Sequence, residues 1–441
     1  MTEENKSVKK FPNSGNIPKL RFFQFNNEWK NEKLGNLMTF KVTNSYSRDN
    51  LNYESGAVKN IHYGDIHTKF QTLFDLEKEN VPYINEDISL SRISEDFYCQ
   101  EGDIIFADAS EDLNDVGKSI EITNLNDEKL LSGLHTLLAR PQEDIFFKGF
   151  LGYLLKSNNV RNQIKREAQG SKVLSINVGR ISNIHLPFPS ILEQQKISEF
   201  LSLLDKRILY SMKIIEKLET LMKVSRINIF SQKLRFKNEQ GYDFPDWKKL
   251  KLGKIGNFQT SSIDKLSKEN ENEVYLVNYM NVYRHEDINS STIKSFQKVT
   301  AKEQQITSCN LKKGDILFTP SSETPNDIGH SVVISENLEN TVFSYHLMRF
   351  RPKIEIDILY SHYFCNVPIV LSQLSKFATG STRFTISVKS FSDVEISLPS
   401  LLEQKVIGKF LSLVENKIDT EKQILEKLEL QKKFFLSNLF V

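Results

Sequence analysis

Pro189-Ser190-Ile191-Leu192-Glu193-Gln194 returns 210 positions later as Pro399-Ser400-Leu401-Leu402-Glu403-Gln404. Aligning 189–208 with 399–418 gives 11 identities in 20 positions, against roughly one in 20 for unrelated residues, so the chain is an internal duplication. From each Pro-Ser pair onward, apolar residues recur at three- and four-residue steps, the period of a helix with one buried stripe. Ile197, Leu201, Leu204, Ile208, Ile215, Leu218, Met222 and Ile229 mark the central stripe, and Ile407, Leu411, Val414, Ile418, Leu425, Leu428, Phe435 and Leu439 the terminal one. Apart from Gly408, neither stretch holds Gly or Pro after its start, so each predicts an unbroken helix of roughly 40 residues, about 60 Å long. A stripe on so long a helix needs a partner. The two copies supply one another, most simply as an antiparallel coiled pair, with packing on their own domains as the alternative.

Working outward, the copies share landmarks whose offset drifts from 218 to 210, as surface loops gain or lose residues. Leu20-Arg21-Phe22 and Trp29-Lys30 match Leu234-Arg235-Phe236 and Trp247-Lys248. Gly102-Asp103-Ile104 matches Gly314-Asp315-Ile316; His135 and Arg140-Pro141 match His346 and Arg351-Pro352; Gly170-Ser171 matches Gly380-Ser381. Between the landmarks, short β-rich runs alternate with turns and a few helices, the pattern of a mixed α/β domain. The predicted organisation is an N-terminal tail at 1–19, mixed α/β domains at 20–188 and 234–398, and helical regions at 189–233 and 399–441.

With 441 residues, 39% hydrophobic and 26% charged, the chain can bury real cores. No apolar run approaches the length of a membrane span, and the start of the chain (Glu3, Glu4, Lys6, Lys9, Lys10, Phe11) lacks the apolar core of a signal peptide. A cytoplasmic protein without membrane contact is expected. Three scattered cysteines (Cys99, Cys309, Cys365) give neither a disulfide framework nor a zinc site. A net charge of +2 leaves nucleic-acid binding to local clusters.

Catalytic signatures fail one by one. Gly117-Lys118-Ser119 resembles the tail of a phosphate-binding loop, but Asp112 stands where that motif needs glycine. Asn366-Val367-Pro368-Ile369 misses an adenine-methylating tetrapeptide at two positions, and Gly-x-Ser-x-Gly is absent. His362 and Cys365 lack a second ligand pair, and His135 and His346 read as structural hydrogen-bonding groups. No metal and no cofactor is expected on this chain.

What remains is three polar, aromatic and basic groups per copy that suit DNA contact. The first holds Tyr63, His67 and Lys69, or Tyr279, Asn281, Tyr283 and Arg284, where Asn could pair with adenine and the cations meet phosphate or guanine. The second follows the Gly-Asp-Ile strands: Asp108, Ser110 and Lys118, or Thr319, Ser321, Ser322 and His330. The third offers Lys172 or Arg383 beside small residues, which would equally suit a tight structural turn.

Two variable α/β domains, each followed by a helix opening Pro-x-Leu-Glu-Gln and continuing Ile-x-x-Phe-Leu-Ser-Leu, resemble the specificity subunit of type I restriction-modification systems over nearly the whole chain. The Leu-Arg-Phe and Trp-Lys openings match as well. That resemblance implies a non-catalytic subunit in which each domain reads one half of a split double-stranded DNA target and the helices fix the gap. It also implies docking of two modification subunits, which supply S-adenosylmethionine, and recruitment of restriction subunits that use ATP and Mg. The rival readings are a self-contained restriction enzyme or methyltransferase, and a coiled-coil scaffold without DNA binding.

Overall fold

The computed structural model describes the backbone of Val8–Lys10 and residues 16–441; Glu3, Glu4, Lys6 and Phe11 of the predicted tail lie outside the described residues. The chain forms two compact units. One comprises Met1–Met212 and Gln423–Val441, the other Lys213–Lys422. These units cut across the linear segments read from the sequence, because each recognition domain keeps the start of the helix that follows it and also takes in the end of the other helix.

In the first unit, a five-stranded sheet runs in the order Met38–Lys41, Thr136–Pro141, Ile104–Ala107, Ser119–Asn124, Leu73–Asp75. Its pairings are antiparallel except the last. A smaller sheet orders Leu130–Ser132, Lys59–Ile61, Tyr83–Ile84 and Leu51–Asn52. The second unit repeats the plan with two four-stranded sheets: Gly256–Thr260, Met348–Pro352, Ile316–Phe318, Ser331–Val333; and Lys298–Ala301, Asn272–Val277, Leu338–Phe343, Asn310–Leu311. The Gly-Asp-Ile landmark explains itself here. Asp103 turns into the central strand, accepts from Gln100 N at 2.8 Å and pairs with Arg140 at 2.9 Å. Asp315 does the same with Lys312 N at 2.8 Å and Arg351 at 2.7 Å.

The central helix spans Ile191–Phe230 and the terminal helix Leu401–Asn438. Their shared opening is a docking device. Glu193, in the first turn, is buried and receives Arg21 of Leu-Arg-Phe through two bonds of 2.7 Å. Glu403 receives Arg235 at 3.2 and 2.9 Å. Gln194 Oε1 accepts from Phe147 N at 2.9 Å, and its amide donates to Ile145 O and Pro189 O; Gln404 accepts from Asp357 N at 3.0 Å and donates to Pro399 O. The glutamate in the first turn of each helix is thus half of a bidentate clamp that fastens the helix to its own domain. Just before each clamp, His185–Phe188 pairs antiparallel with Lys30–Lys33, and Glu395–Leu398 with Lys248–Lys251.

The helical stripes divide their burial. In the first unit, Ile197 and Leu201 join a core with Trp29, Phe150 and Tyr153, and Leu439 and Phe440 of the terminal helix end enter the same core. Phe200 meets Phe435 edge-on at 4.8 Å, and Asp205 pairs with Lys432 at 2.5 Å, so the two segments run antiparallel. In the second unit, Ile407 and Leu411 join Ile229, Trp247 and Tyr360, while Glu219 pairs with Lys422 at 2.7 Å. Ile215 and Ile418 are buried; Ile208, Leu218, Leu425 and Leu428 are half-buried. Each stripe therefore serves both its domain and a partner helix. Gly408 sits where a Cβ would lie 2.6 Å from Tyr360 N, so the helix approaches the domain backbone there too closely for any side chain.

Candidate nucleic-acid interface

The three groups singled out in each copy converge on one short strand. In the first domain that strand is Ala109–Ser110, paired antiparallel with Leu174–Ser175 of the Gly170 hairpin. The Tyr63 segment is a short helix, Tyr63–Thr68, with the His62 ring accepting from Gly64 N at its start. His67 Nε2 lies 3.0 Å from Ala109 O, and Lys118 Nζ donates to His67 O at 2.6 Å. Tyr63 packs edge-on against His135 at 5.3 Å, and His135 Nδ1 lies 3.2 Å from the Asp108 carboxylate. Ser110 accepts from Asp112 N at 3.1 Å and Lys172 is exposed at the hairpin tip. Lys69 points to a separate set: it pairs with Asp65 at 2.9 Å and donates to Tyr53 OH at 3.2 Å, while Arg48 holds the same carboxylate at 3.1 Å. The carboxylate and the tyrosine raise the Lys69 pKa above the usual lysine range, which keeps it cationic.

The second domain builds the same arrangement from different side chains. Ser321–Ser322 pairs with Phe384–Thr385 of the Gly380 hairpin. Helix Tyr279–Tyr283 stacks its two tyrosines at 5.8 Å, with Tyr279 OH donating to Ser321 O at 2.9 Å and Tyr283 OH to the Asp327 carboxylate at 3.0 Å. His330 lies 2.9 Å from Asp327 on one side and 3.1 Å from His285 on the other. Arg383 reaches back to Ser321 Oγ at 3.1 Å, and Arg284 is exposed.

Some candidates are otherwise engaged. Asn281 uses its Oδ1 to accept from Asn278 N at 2.9 Å and its amide to bond Glu286 at 2.6 Å, so the adenine-pairing face read from the sequence is spent on a helix cap. Thr319, Ser321 and Ser322 are buried; here they support the face instead of lining it. The glycines of the third group are needed by the hairpins themselves. Gly170 and Gly380 have φ of 129° and 144°, and a Cβ would lie 2.0 and 2.1 Å from Val173 O and Arg383 O.

Sequence reasoning passed over Arg48, Tyr53 and Asp327. One signal was available: Asp115-Val116-Gly117-Lys118-Ser119 aligns with Asp327-Ile328-Gly329-His330-Ser331. Gly117 makes the turn into the strand Ser119–Asn124 and starts no helix, so the resemblance to a phosphate loop ends there. Cys365 is fully buried and His362 faces Glu415 at 3.7 Å. Among the described residues no group of His, Cys, Asp and Glu could hold a metal ion, and no helix is long and apolar enough to cross a membrane.

Duplicated domains carrying this face, each clamped to a long helix, have a counterpart among known families. The model of the type I restriction modification DNA specificity domain matches residues 26–220 and again 245–430. The chain belongs to this family. A putative type I restriction enzyme MjaX specificity subunit of Methanocaldococcus jannaschii is 25% identical over 96% of this chain and 95% of its own. The MjaVIII specificity subunit of the same organism is 25% identical over 65% of this chain and 68% of its own. The fold is similar to that of the crystal structure of a type I restriction-modification S subunit from M. genitalium, with a TM-score of 0.55, 16% identity, and coverage of 96% of this chain and 99% of that one. A chain from a structure of type I system assembly and conformational transition matches with a TM-score of 0.53, at 16% identity, over 92% of this chain and 96% of its own. The two M. jannaschii relatives are named as specificity subunits and the M. genitalium structure as an S subunit.

Proposed function

We propose that each domain of this specificity subunit binds one half of a split, asymmetric double-stranded DNA target, and that the paired helices fix the gap between the halves. The observation that carries this reading is the repeated face: a short helix, a buried strand and a glycine hairpin bring aromatic and cationic groups together twice, with different side chains each time. Two such faces on one chain would read two different words. Helices of 40 and 38 residues are stiff enough to hold a distance on the scale of a DNA turn, roughly 34 Å, where a flexible linker is not.

The helices would also dock two modification subunits. Leu192 and Leu203 are 70% and 65% exposed, and the duplicate positions Leu402 and Leu413 are 66% and 60% exposed. Eleven residues make three helical turns, so each pair shares one face. Single exposed leucines are ordinary, but the same pair repeated in both copies suits one kind of partner bound twice. S-adenosylmethionine would be held by those partners, and ATP and Mg by restriction subunits recruited to them.

The test is to express the chain with a type I modification subunit in a methylation-free host and map N6-methyladenine across the genome. A split motif with a fixed gap, dependent on this chain, is the expected result. Absence of new methylation from a complex shown to form would overturn the reading.

A further inference from the structure

The two domains place different cations at one position of the recognition face. Lys118 and His330 follow equivalent turns: Gly117 N donates to Ala107 O at 2.9 Å, and Gly329 N to Thr319 O at 3.0 Å. Lys118 stands 3.6 Å from Asp115, as His330 stands 2.9 Å from Asp327. A second position differs in the same sense. Six residues after the first tyrosine of each short helix stand Lys69 in the first domain and His285 in the second. Where the first domain has two lysines, the second has two histidines in contact with each other.

The three contacts of that pair set a proton count when each is made as a hydrogen bond. His285 Nδ1 lies 3.2 Å from Ser331 O, an acceptor, and would donate to it. His330 Nε2 lies 2.9 Å from the Asp327 carboxylate, also an acceptor, and would donate there. The remaining nitrogens, His285 Nε2 and His330 Nδ1, face each other at 3.1 Å and would need one proton between them. With all three bonds made, four ring nitrogens share three protons and the pair carries one positive charge. A neutral pair breaks one of the three contacts; a doubly charged pair sets two N–H groups against each other.

We propose that the His285–His330 pair holds a single shared proton and is the pH-gated cation with which the second domain meets DNA, where the first uses the permanent charge of Lys118. This rests on the DNA-recognition reading above. The groups around the pair favour one charge and oppose a second. Asp327 accepts from both His330 and Tyr283, with Glu323 near that tyrosine and Glu286 near Arg284. Against a second charge stand Arg226 and His362, the latter paired with Glu415; Arg383 lies near Tyr279. Burial lowers the His285 pKa, with His330, His362 and Arg226 acting in the same direction and the contact with Ser331 O opposing them.

DNA phosphates draw in the charged form, so affinity falls as pH rises and the pair loses its proton. The experiment uses the full chain in its complex with modification subunits and a 40-base-pair duplex carrying the mapped motif, at constant ionic strength. Between pH 6.0 and 8.5 the dissociation constant should rise at least threefold. Calorimetry at pH 7.5 in two buffers of different ionisation enthalpy should show net proton uptake on binding. His330→Lys should remove both effects, while His185→Gln, on the strand His185–Phe188 outside both faces, should leave them. Binding without pH dependence or proton uptake overturns the proposal alone, as does an unchanged slope in His330→Lys. No binding at any pH overturns the DNA-recognition reading with it. The proton count needs only the wild-type chain, so it decides even where the variant does not fold.

Discussion

The first and second recognition domains agree where they meet their helices and diverge where they face outward. The Arg–Glu clamp, the glutamine ties and the buried Asp–Arg pair recur with the same partners in both. On the face, His67 becomes Tyr283, Lys118 becomes His330, and Asp108 becomes Pro320. The groups that orient each domain on its helix are the same in both copies, and those on the outward face differ. Even the conserved parts are not equal in depth: Arg21 is 2% exposed and Arg235 is 23% exposed, although both carboxylates are fully covered.

That inequality gives the largest expected effect. Arg21→Ala leaves Glu193 buried and unpaired and should destabilise the first unit by about 3–5 kcal/mol. Arg235→Ala should cost less, because water reaches the vacated site. Urea unfolding of the two variants measures both, and equal losses would break the distinction.

Next comes a difference in pH response. Glu121 is buried, with backbone N–H donors from Gly149, Leu151 and Gly152, and burial pushes its pKa up to about 7; Val333 fills the equivalent place. Because the folded value lies above the unfolded one, the unfolded chain releases this proton first. Stability of the first unit should then fall as pH rises from about 4.5 to 7, by roughly 3 kcal/mol. Glu121→Gln should flatten that slope, and a wild-type profile without it would remove the asymmetry.

The hairpins should behave alike in both domains. Gly170→Ala and Gly380→Ala each force a side chain into a backbone oxygen at strongly positive φ, for a loss of about 1–3 kcal/mol apiece in thermal unfolding. The smallest effect concerns Tyr360, whose buried hydroxyl has no hydrogen-bond partner and whose counterpart is Phe150. Tyr360→Phe should be neutral or stabilise by up to about 1 kcal/mol. A clear loss of stability would mean that the hydroxyl is satisfied by water in the cavity of about 170 Å3 it borders.

The helices were legible because a 3.6-residue stripe without breakers is a local signal, and the duplication because Pro-x-Leu-Glu-Gln survives in both copies. The clamp was not legible. Arg21 and Glu193 are 172 residues apart, and nothing in either motif names the other until the chain folds. The three loop groups were found as groups, yet the direction of individual side chains was not, since Asn281 caps its own helix and Thr319 turns inward. The Tyr63 segment, with a glycine at its second position, reads as a turn locally and becomes a helix only under the packing of Ile66 and the carboxylate contacts of Asp65.

The antiparallel pairing of Lys30–Lys33 with His185–Phe188, and of Lys248–Lys251 with Glu395–Leu398, closes each domain into a loop of chain whose two ends lie side by side at the foot of a helix. An exchange of everything between those ends would replace the outward face and leave Arg21 with Glu193, or Arg235 with Glu403, in place.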